Sequence, residues 1–323
     1  MKEALALIRA GATAGLLATA ALAVPAAAQD YPSKPIEVIH QFGPGGGTDN
    51  FIRAIGLPFE GISGVQLIPL SMAGGAGMPA AAAFAQRPAN GQTLQAIGPE
   101  EVISHVLGRI DLTTYRPIAR VQYDQGLFYV GKDSTFQTIE EVIDFATANP
   151  GELKVGIAGA AGFDATLVGL WNTTTGATLT AVPFKGSSEA LASAMGGHTD
   201  LLYEEYGPAR GVIESGELRP LVIFSEERLP ELPDVPTARE LGHDVTLGRW
   251  RGMAMKQADD PAHAERIAAL LAEAAQTPEY KEIEAKSSLQ YRSEFLGPDA
   301  FAAFLDEQIK VYSDVLSEIN MAN

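Results

Sequence analysis

Short apolar runs alternate along this chain with longer amphipathic stretches, and glycine-rich turns separate them. Ile36 to His40, Val65 to Leu70, Thr93 to Ile97, Leu127 to Val130, Leu153 to Ile157, Leu179 to Pro183, Asp200 to Tyr203 and Leu218 to Phe224 read as strands. Helical spacing begins near Asp49, where Gly56 and Pro58 should end or kink the helix early. It recurs over Pro79 to Gln86, over Thr138 to Ala148 with Thr138 as cap, and from Gly162 through Leu167 and Trp171. Ser187 or Ser188 caps a further helix that ends before Gly196-Gly197, and the tail predicts helices at about 261–274, 278–285 and 298–318. Strand–helix alternation with short glycine turns predicts an α/β fold with mainly parallel sheets. No internal repeat or low-complexity linker interrupts it.

The first 28 residues depart from this pattern. Lys2 and Arg9 give a positive start, Gly11 to Val24 is apolar and uncharged, and Ala26-Ala27-Ala28 offers small residues before a cut at Gln29. That order predicts a secretory signal peptide. The run is shorter than the ~20 apolar residues a membrane span needs. The mature chain is then 295 residues, 323 less those 28, which suggests two lobes. The net charge of −17 becomes −18 once Lys2, Arg9 and Glu3 are removed. Such a surface excludes nucleic acid and anionic membrane as partners. With no cysteine, disulfides, thiol catalysis and thiolate metal sites are excluded.

Candidate chemistry lies in the turns. Phe42-Gly43-Pro44-Gly45-Gly46-Gly47-Thr48-Asp49 joins a strand to a helix start. Such a loop bares backbone N–H groups beside the positive end of a helix, and so forms either an anion site or an ordinary turn. Gly159 to Asp164 and Lys185 to Ser188 are further donor-rich turns at strand ends. In open α/β sheets ligands bind at the carboxyl ends of strands. Two such turns facing one cleft would clamp a small anion. Gly75-Ala76-Gly77-Met78-Pro79-Ala80 imitates a dinucleotide fingerprint, but Pro79 sits in the turn and no acidic residue follows at the right distance. The five histidines lack metal-ligand spacing, and neither a G-x-S-x-G elbow nor a P-loop occurs. No enzyme, cofactor or metal is expected.

An ordered set of motifs resembles the extracytoplasmic solute receptors of tripartite tricarboxylate transporters, the Bug or TctC-like family. The set comprises Tyr31-Pro32-Ser33-Lys34-Pro35-Ile36, the Phe42 to Asp49 loop, Gly74-Gly75-Ala76-Gly77, Arg87-Pro88-x-x-Gly91-x-Thr93-Leu94 and Val182-Pro183-Phe184-Lys185-Gly186. It continues with Gly196-Gly197-His198-Thr199-Asp200, Gly216-Glu217-Leu218-Arg219, Leu232-Pro233-Asp234-Val235-Pro236-Thr237 and Trp250-Arg251-Gly252. The resemblance covers essentially the whole mature chain. It implies a periplasmic, two-lobed Venus-flytrap fold with a hinge. Residues 29–125 plus 226–323 would form one lobe, and residues 126–225 the other. It also implies a small carboxylate as ligand, membrane permease subunits as partners, and closure of the lobes on binding. A monomer is the simplest expectation, and a sensor kinase is an alternative partner.

By the same resemblance, Gly46, Gly47 and Thr48 offer donors to one carboxylate, with Phe42 beside it. Asp49 either caps the helix or contacts the ligand. Ala160, Ala161, Phe163 and Asp164 fill the loop for the other end, with Lys185 and Gly186 nearby. Tyr206 matches an aromatic hydroxyl position, and Trp250 lines the cleft. The chain also departs from the family at Glu204-Glu205, where small residues are usual, and at Arg249, where asparagine is usual, and Glu100-Glu101 follows another strand end near the cleft. Carboxylates beside a bound dicarboxylate cost energy unless Arg249, Arg251 or Lys185 neutralises them. Glu100 and Glu204 therefore either face a cationic group on the ligand, as in an amino acid, or a coordinated cation, or belong to an acidic surface. A plain di- or tricarboxylate is the parent alternative.

Overall fold

The computed structural model describes residues 31–159, 162–290 and 294–319. The expected signal peptide and Ala160 and Ala161 lie outside them. The described strands are β1 (Ile36–His40), β2 (Leu67–Ser71), β3 (Thr93–Ile97), β4 (Tyr115–Asp124), β5 (Gly126–Gly131), β6 (Lys154–Ala158), β7 (Thr180–Phe184), β8 (Leu201–Glu205), β9 (Leu218–Ile223) and β10 (Arg249–Lys256). They form two sheets, ordered β2-β1-β3-β10-β4 and β7-β6-β8-β5-β9. A single residue, Gln125, separates β4 in the first sheet from β5 in the second, and the chain returns between Ile223 and Arg249.

Both sheets are mixed rather than mainly parallel. β1 runs parallel to β2 and β3, and β6 runs parallel to β7 and β8, but β10 is antiparallel to β3 and β4, and β5 to β8 and β9. The crossings explain this. A helical crossover returns the chain to the end where it began, which gives parallel neighbours. A strand arriving directly from the other lobe enters at the end where those neighbours finish, and so runs against them.

The helices are α1 (Gly47–Ser63), α2 (Met78–Gln86), α3 (Pro99–Val106), α4 (Ile139–Ala148), α5 (Phe163–Thr175), α6 (Ser187–Met195), α7 (Tyr206–Glu214), α8 (Pro261–Ala275), α9 (Pro278–Lys286) and α10 (Pro298–Glu318). None of them is long and apolar enough to cross a membrane. Pro58 does not stop α1, which runs on to a left-handed glycine cap at Gly64. Proline costs the helix one backbone bond, but Phe51, Ile52, Ile55 and Phe59 are all buried on the same helix, and that burial outweighs it. α6 begins without a side-chain cap, since Gly186 holds the cap position and Ser187 is already helical.

β4, β10, α3 and α7 are elements that apolar pattern does not announce. The two strands carry Arg116, Arg120, Arg249 and Arg251, charges that break a hydrophobic run. α3 does leave a signal in Gly98-Pro99-Glu100-Glu101. Pro99 takes the first helical position, and Glu101 Oε2 accepts the Gly98 N–H at 2.7 Å. α10 packs on α3 and β4 of the first lobe and on α5 of the second, so it spans both.

Gly252 on β10 is enclosed on two sides. A β-carbon there would lie 2.5 Å from the Phe301 ring and 2.6 Å from the Ala119 carbonyl oxygen. Gly252→Ala is expected to cost about 1–3 kcal/mol, read as a lower midpoint in urea unfolding of residues 29–323. An unchanged midpoint would refute the packing described.

Candidate functional site

The loop after β1 turns at Gly45, whose φ of 75° favours glycine. Asp49 folds back beneath this turn and accepts the Gly45 N–H at 3.0 Å. Arg53 holds the same carboxylate at 2.8 Å, and His40 lies 3.5 Å away. Burial raises the pKa of Asp49, but Arg53 and the Gly45 N–H outweigh it and leave it below its ordinary value. Asp49 is thus the brace of the loop and does not line the cavity. The N–H groups of Gly47 and Thr48, at the start of α1, have no intrahelical acceptor.

These groups form one wall of a cavity of about 680 Å³. Phe42, Gly46, Gly47 and Thr48 line it from the first lobe. Lys185, Gly186, Ser187 and Ser188 line it from the second, at the start of α6. Two helix N-termini therefore meet across the cavity from different sheets, each presenting donors and a partial positive charge.

The remaining wall is ionic and largely buried. Arg249 Nη1 donates to Glu100 Oε1 at 2.5 Å, Nη2 pairs with Asp164, and Nε faces Glu205. Arg251 Nη2 donates to the second oxygen of Glu205 at 3.0 Å. The Phe163 ring lies 4.9 Å from the Arg249 guanidinium, and the Phe42 ring 5.9 Å from it. Asp124, from the end of β4, and Glu204, from the end of β8, complete this side.

Too few cations serve these acids, and their pKa values separate accordingly. Burial and then Glu205 push Glu204 well above its ordinary value. The same causes push Asp124 up to about 7. Burial moves Asp164 up to about 6 against the pull of Arg249. Behind them, burial and Glu100 raise Glu101 to about 8. Burial also acts on Glu205, but Arg249 and Arg251 more than offset it and hold that carboxyl low.

The sequence-derived candidates therefore divide. Phe42, Gly46, Gly47, Thr48, Asp164, Lys185, Gly186 and Glu204 line the cavity, whereas Asp49, Glu100, Phe163, Tyr206 and Trp250 do not. Glu100 stands behind Arg249 as its ion-pair partner. Phe163 is buried beneath the same guanidinium. Tyr206 starts α7 and is buried in the apolar cluster that holds Leu127, Tyr129 and Ala209. Trp250 is core rather than cleft. It is fully buried, sits edge-on to Phe301 and Phe304, and donates to Gln308 Oε1 at 3.2 Å. Side chains alternate along a strand, so Arg249 and Arg251 reach the cavity while Trp250 between them faces α10. Ala160 and Ala161 lie outside the described residues. Ser187 and Ser188, from the donor-rich turn Lys185 to Ser188, line the cavity as well, whereas Asp124 and Gln122 join the site unannounced, because they belong to a strand that the pattern does not reveal. Among the described residues, no group of three or more acids or histidines is arranged to hold a metal ion.

Two predictions follow from the ion pairs. Arg249→Met leaves three buried carboxylates without their shared cation. It is expected to cost about 3–5 kcal/mol at pH 8 and less at pH 5, where the acids protonate; urea unfolding at both values checks this. In the unaltered protein, Asp164, Asp124 and Glu101 keep protons at pH values where the unfolded chain, with carboxyls near ~4, has lost them. Their contribution to stability is full below about pH 4 and is lost as pH rises to about 8. The urea midpoint should be lower at pH 8.5 than at pH 5.5, and a flat or rising trend would contradict the burial of these acids.

Residues 71–321 match the model of the tripartite tricarboxylate transporter family receptor, TctC. The chain is 26% identical over 309 residues to protein BugT of Bordetella pertussis, covering 94% of each chain. Its fold is similar to MatC of Rhodopseudomonas palustris with bound malate, with a TM-score of 0.79, 23% identity, and 88% and 100% of the two chains covered. It is also similar to R. palustris Rpa4515 with adipate, with a TM-score of 0.81, 22% identity, and 90% and 98% covered.

Proposed function

Since the chain belongs to the tripartite tricarboxylate transporter receptor family, we propose that it is an extracytoplasmic receptor that captures a small carboxylate between its lobes and delivers it to membrane permease subunits. It acts in the periplasm, after removal of residues 1–28, and as a receptor rather than an enzyme. One observation carries the reading: the starts of α1 and α6 come from different lobes and present N–H donors to a single cavity. A carboxylate held there joins the lobes, so binding and closure are one event. The residues proposed to hold it are Gly46, Gly47, Thr48, Lys185, Gly186 and Ser187, with Phe42 as an apolar neighbour. The malate and adipate bound by the two similar proteins are of the expected chemical class. The lobes proposed to move are residues 29–125 with 226–323, and residues 126–225, hinged at the crossings.

Thermal unfolding of residues 29–323 against a panel of mono-, di- and tricarboxylates and amino acids tests this. A ligand at about 100 times its Kd should stabilise the fold by about 2.7 kcal/mol. Absence of any shift, with no carboxylate recovered by mass spectrometry from denatured protein, would overturn the reading. Ser187→Pro probes the donors. Proline is tolerated at a first helical position, and Gly186 before it is extended. The N–H is nonetheless lost. Affinity for whichever carboxylate binds should fall about tenfold or more, measured by titration calorimetry. Ser187→Ala, which keeps the N–H, should fall less.

A further inference from the structure

We propose that the solute carries a hydrogen-bonding cationic group beside its carboxylate, as an amino acid does, and that Glu204 together with Asp124 accepts that group. This rests on the receptor reading above and adds the chemistry of the other end of the ligand.

Glu204 is the first observation. It is 3% exposed and lines the cavity. Its Oε1 accepts the Glu205 N–H at 3.0 Å, while its Oε2 has no hydrogen-bond partner. The Ser187 side chain lies near enough to lower its pKa somewhat. A buried carboxyl oxygen without a hydrogen-bond partner, on a residue that lines a cavity, is costly unless something pairs with it. A ligand ammonium or guanidinium would.

The second observation is the commitment of the arginines. Arg249 is shared among Glu100, Asp164 and Glu205, and Arg251 is paired with Glu205. A plain dicarboxylate would have to place its second carboxylate against Arg251, whose Nε is unpartnered. Charge balance opposes this. Asp124, Asp164, Glu189, Glu204 and Glu205 line the cavity against Lys185, Arg249 and Arg251. Glu204 and Asp124 hold protons near neutral pH and so even the count; a second negative charge on the ligand keeps them protonated, whereas a positive one lets them ionise beside it.

Protonation supplies a signature. Glu204 stands beside Glu205 on its own strand and near Asp164 on α5, Tyr129 and Tyr203, while Asp124, Glu189, Lys185, Arg249 and Arg251 line the same cavity; it stays protonated because burial, and then Glu205 and Asp164, oppose its ionisation. A cationic group would displace that proton and the one that Asp124 holds near neutral pH. Binding should therefore release protons and tighten as pH rises from 6 to 8. A dicarboxylate would do the reverse.

The test is titration calorimetry of residues 29–323 with matched pairs, aspartate against succinate and glutamate against glutarate, at pH 6 and 8 and in two buffers of different ionisation enthalpy. We expect the amine-bearing member of at least one pair to bind tenfold or more tightly, with proton release. Glu204→Gln, which keeps size and removes charge, should reduce that preference to threefold or less and abolish the release. Asp124→Asn provides the same readout if Glu204→Gln does not fold. Equal or tighter binding of the plain diacids, a preference untouched in both variants, or silence of both pairs while other carboxylates bind would overturn the inference and leave the receptor reading standing. Failure of every carboxylate would instead overturn the receptor reading.

Discussion

The guanidinium of Arg249 is the point on which this structure turns. It leaves the first sheet at the start of β10 and ends among Glu100 of its own lobe and Asp164 and Glu205 of the other. A buried charge without partners is strongly destabilising, and arginine cannot shed its proton to escape. The second lobe must therefore bring its carboxylates to within bonding distance. β8 and α5 supply Glu205 and Asp164, so the two sheets meet at this guanidinium beside the cavity. Phe42 and Phe163 flank the same group, one from each lobe.

The two ends of the cavity work by different physics. At the donor end, helix N-termini offer N–H groups that the fold leaves free in any case, so anion recognition there takes no stability from the protein. At the acidic end, Asp124, Asp164, Glu204 and Glu205 crowd around two guanidiniums, and proton uptake relieves the excess charge. In the proposed function the first end would recognise any carboxylate, and discrimination would belong to the second.

How far a ligand can move the lobes is set by what joins them. The chain passes from β4 to β5 through Gln125 alone, and α10 packs on elements of both sheets. The proposed opening of the cleft would separate Arg249 and Arg251 from Glu205 and Asp164 and let water replace them. Each ion pair is then exchanged for hydration rather than simply lost, so the net resistance is smaller than the buried geometry suggests. Closure, as proposed, would restore the dry surroundings in which such charges act most strongly.

Local pattern in the sequence determined much of this protein. Apolar runs marked eight strands to within a few residues, the cap at Thr138 marked a helix of the second lobe, and helical spacing marked the three tail helices. The glycine loop at 43–47 and the turn at Lys185 were legible because a backbone that must bare its N–H groups needs residues without side-chain obstruction. Motif order made the family resemblance legible. Tertiary structure alone decided the rest. β4 and β10 were hidden because their arginines are buried by partners distant in sequence: Arg249 meets Glu100 and Asp164 across 149 and 85 residues. Trp250 looked like a cleft residue, yet strand alternation turns it into the core while its two arginine neighbours reach the site. Helix caps and turns are settled within a few residues, so sequence reveals them. Whether a charge is exposed, paired or left facing a cavity depends on which strands become neighbours, and only the assembled sheets decide that.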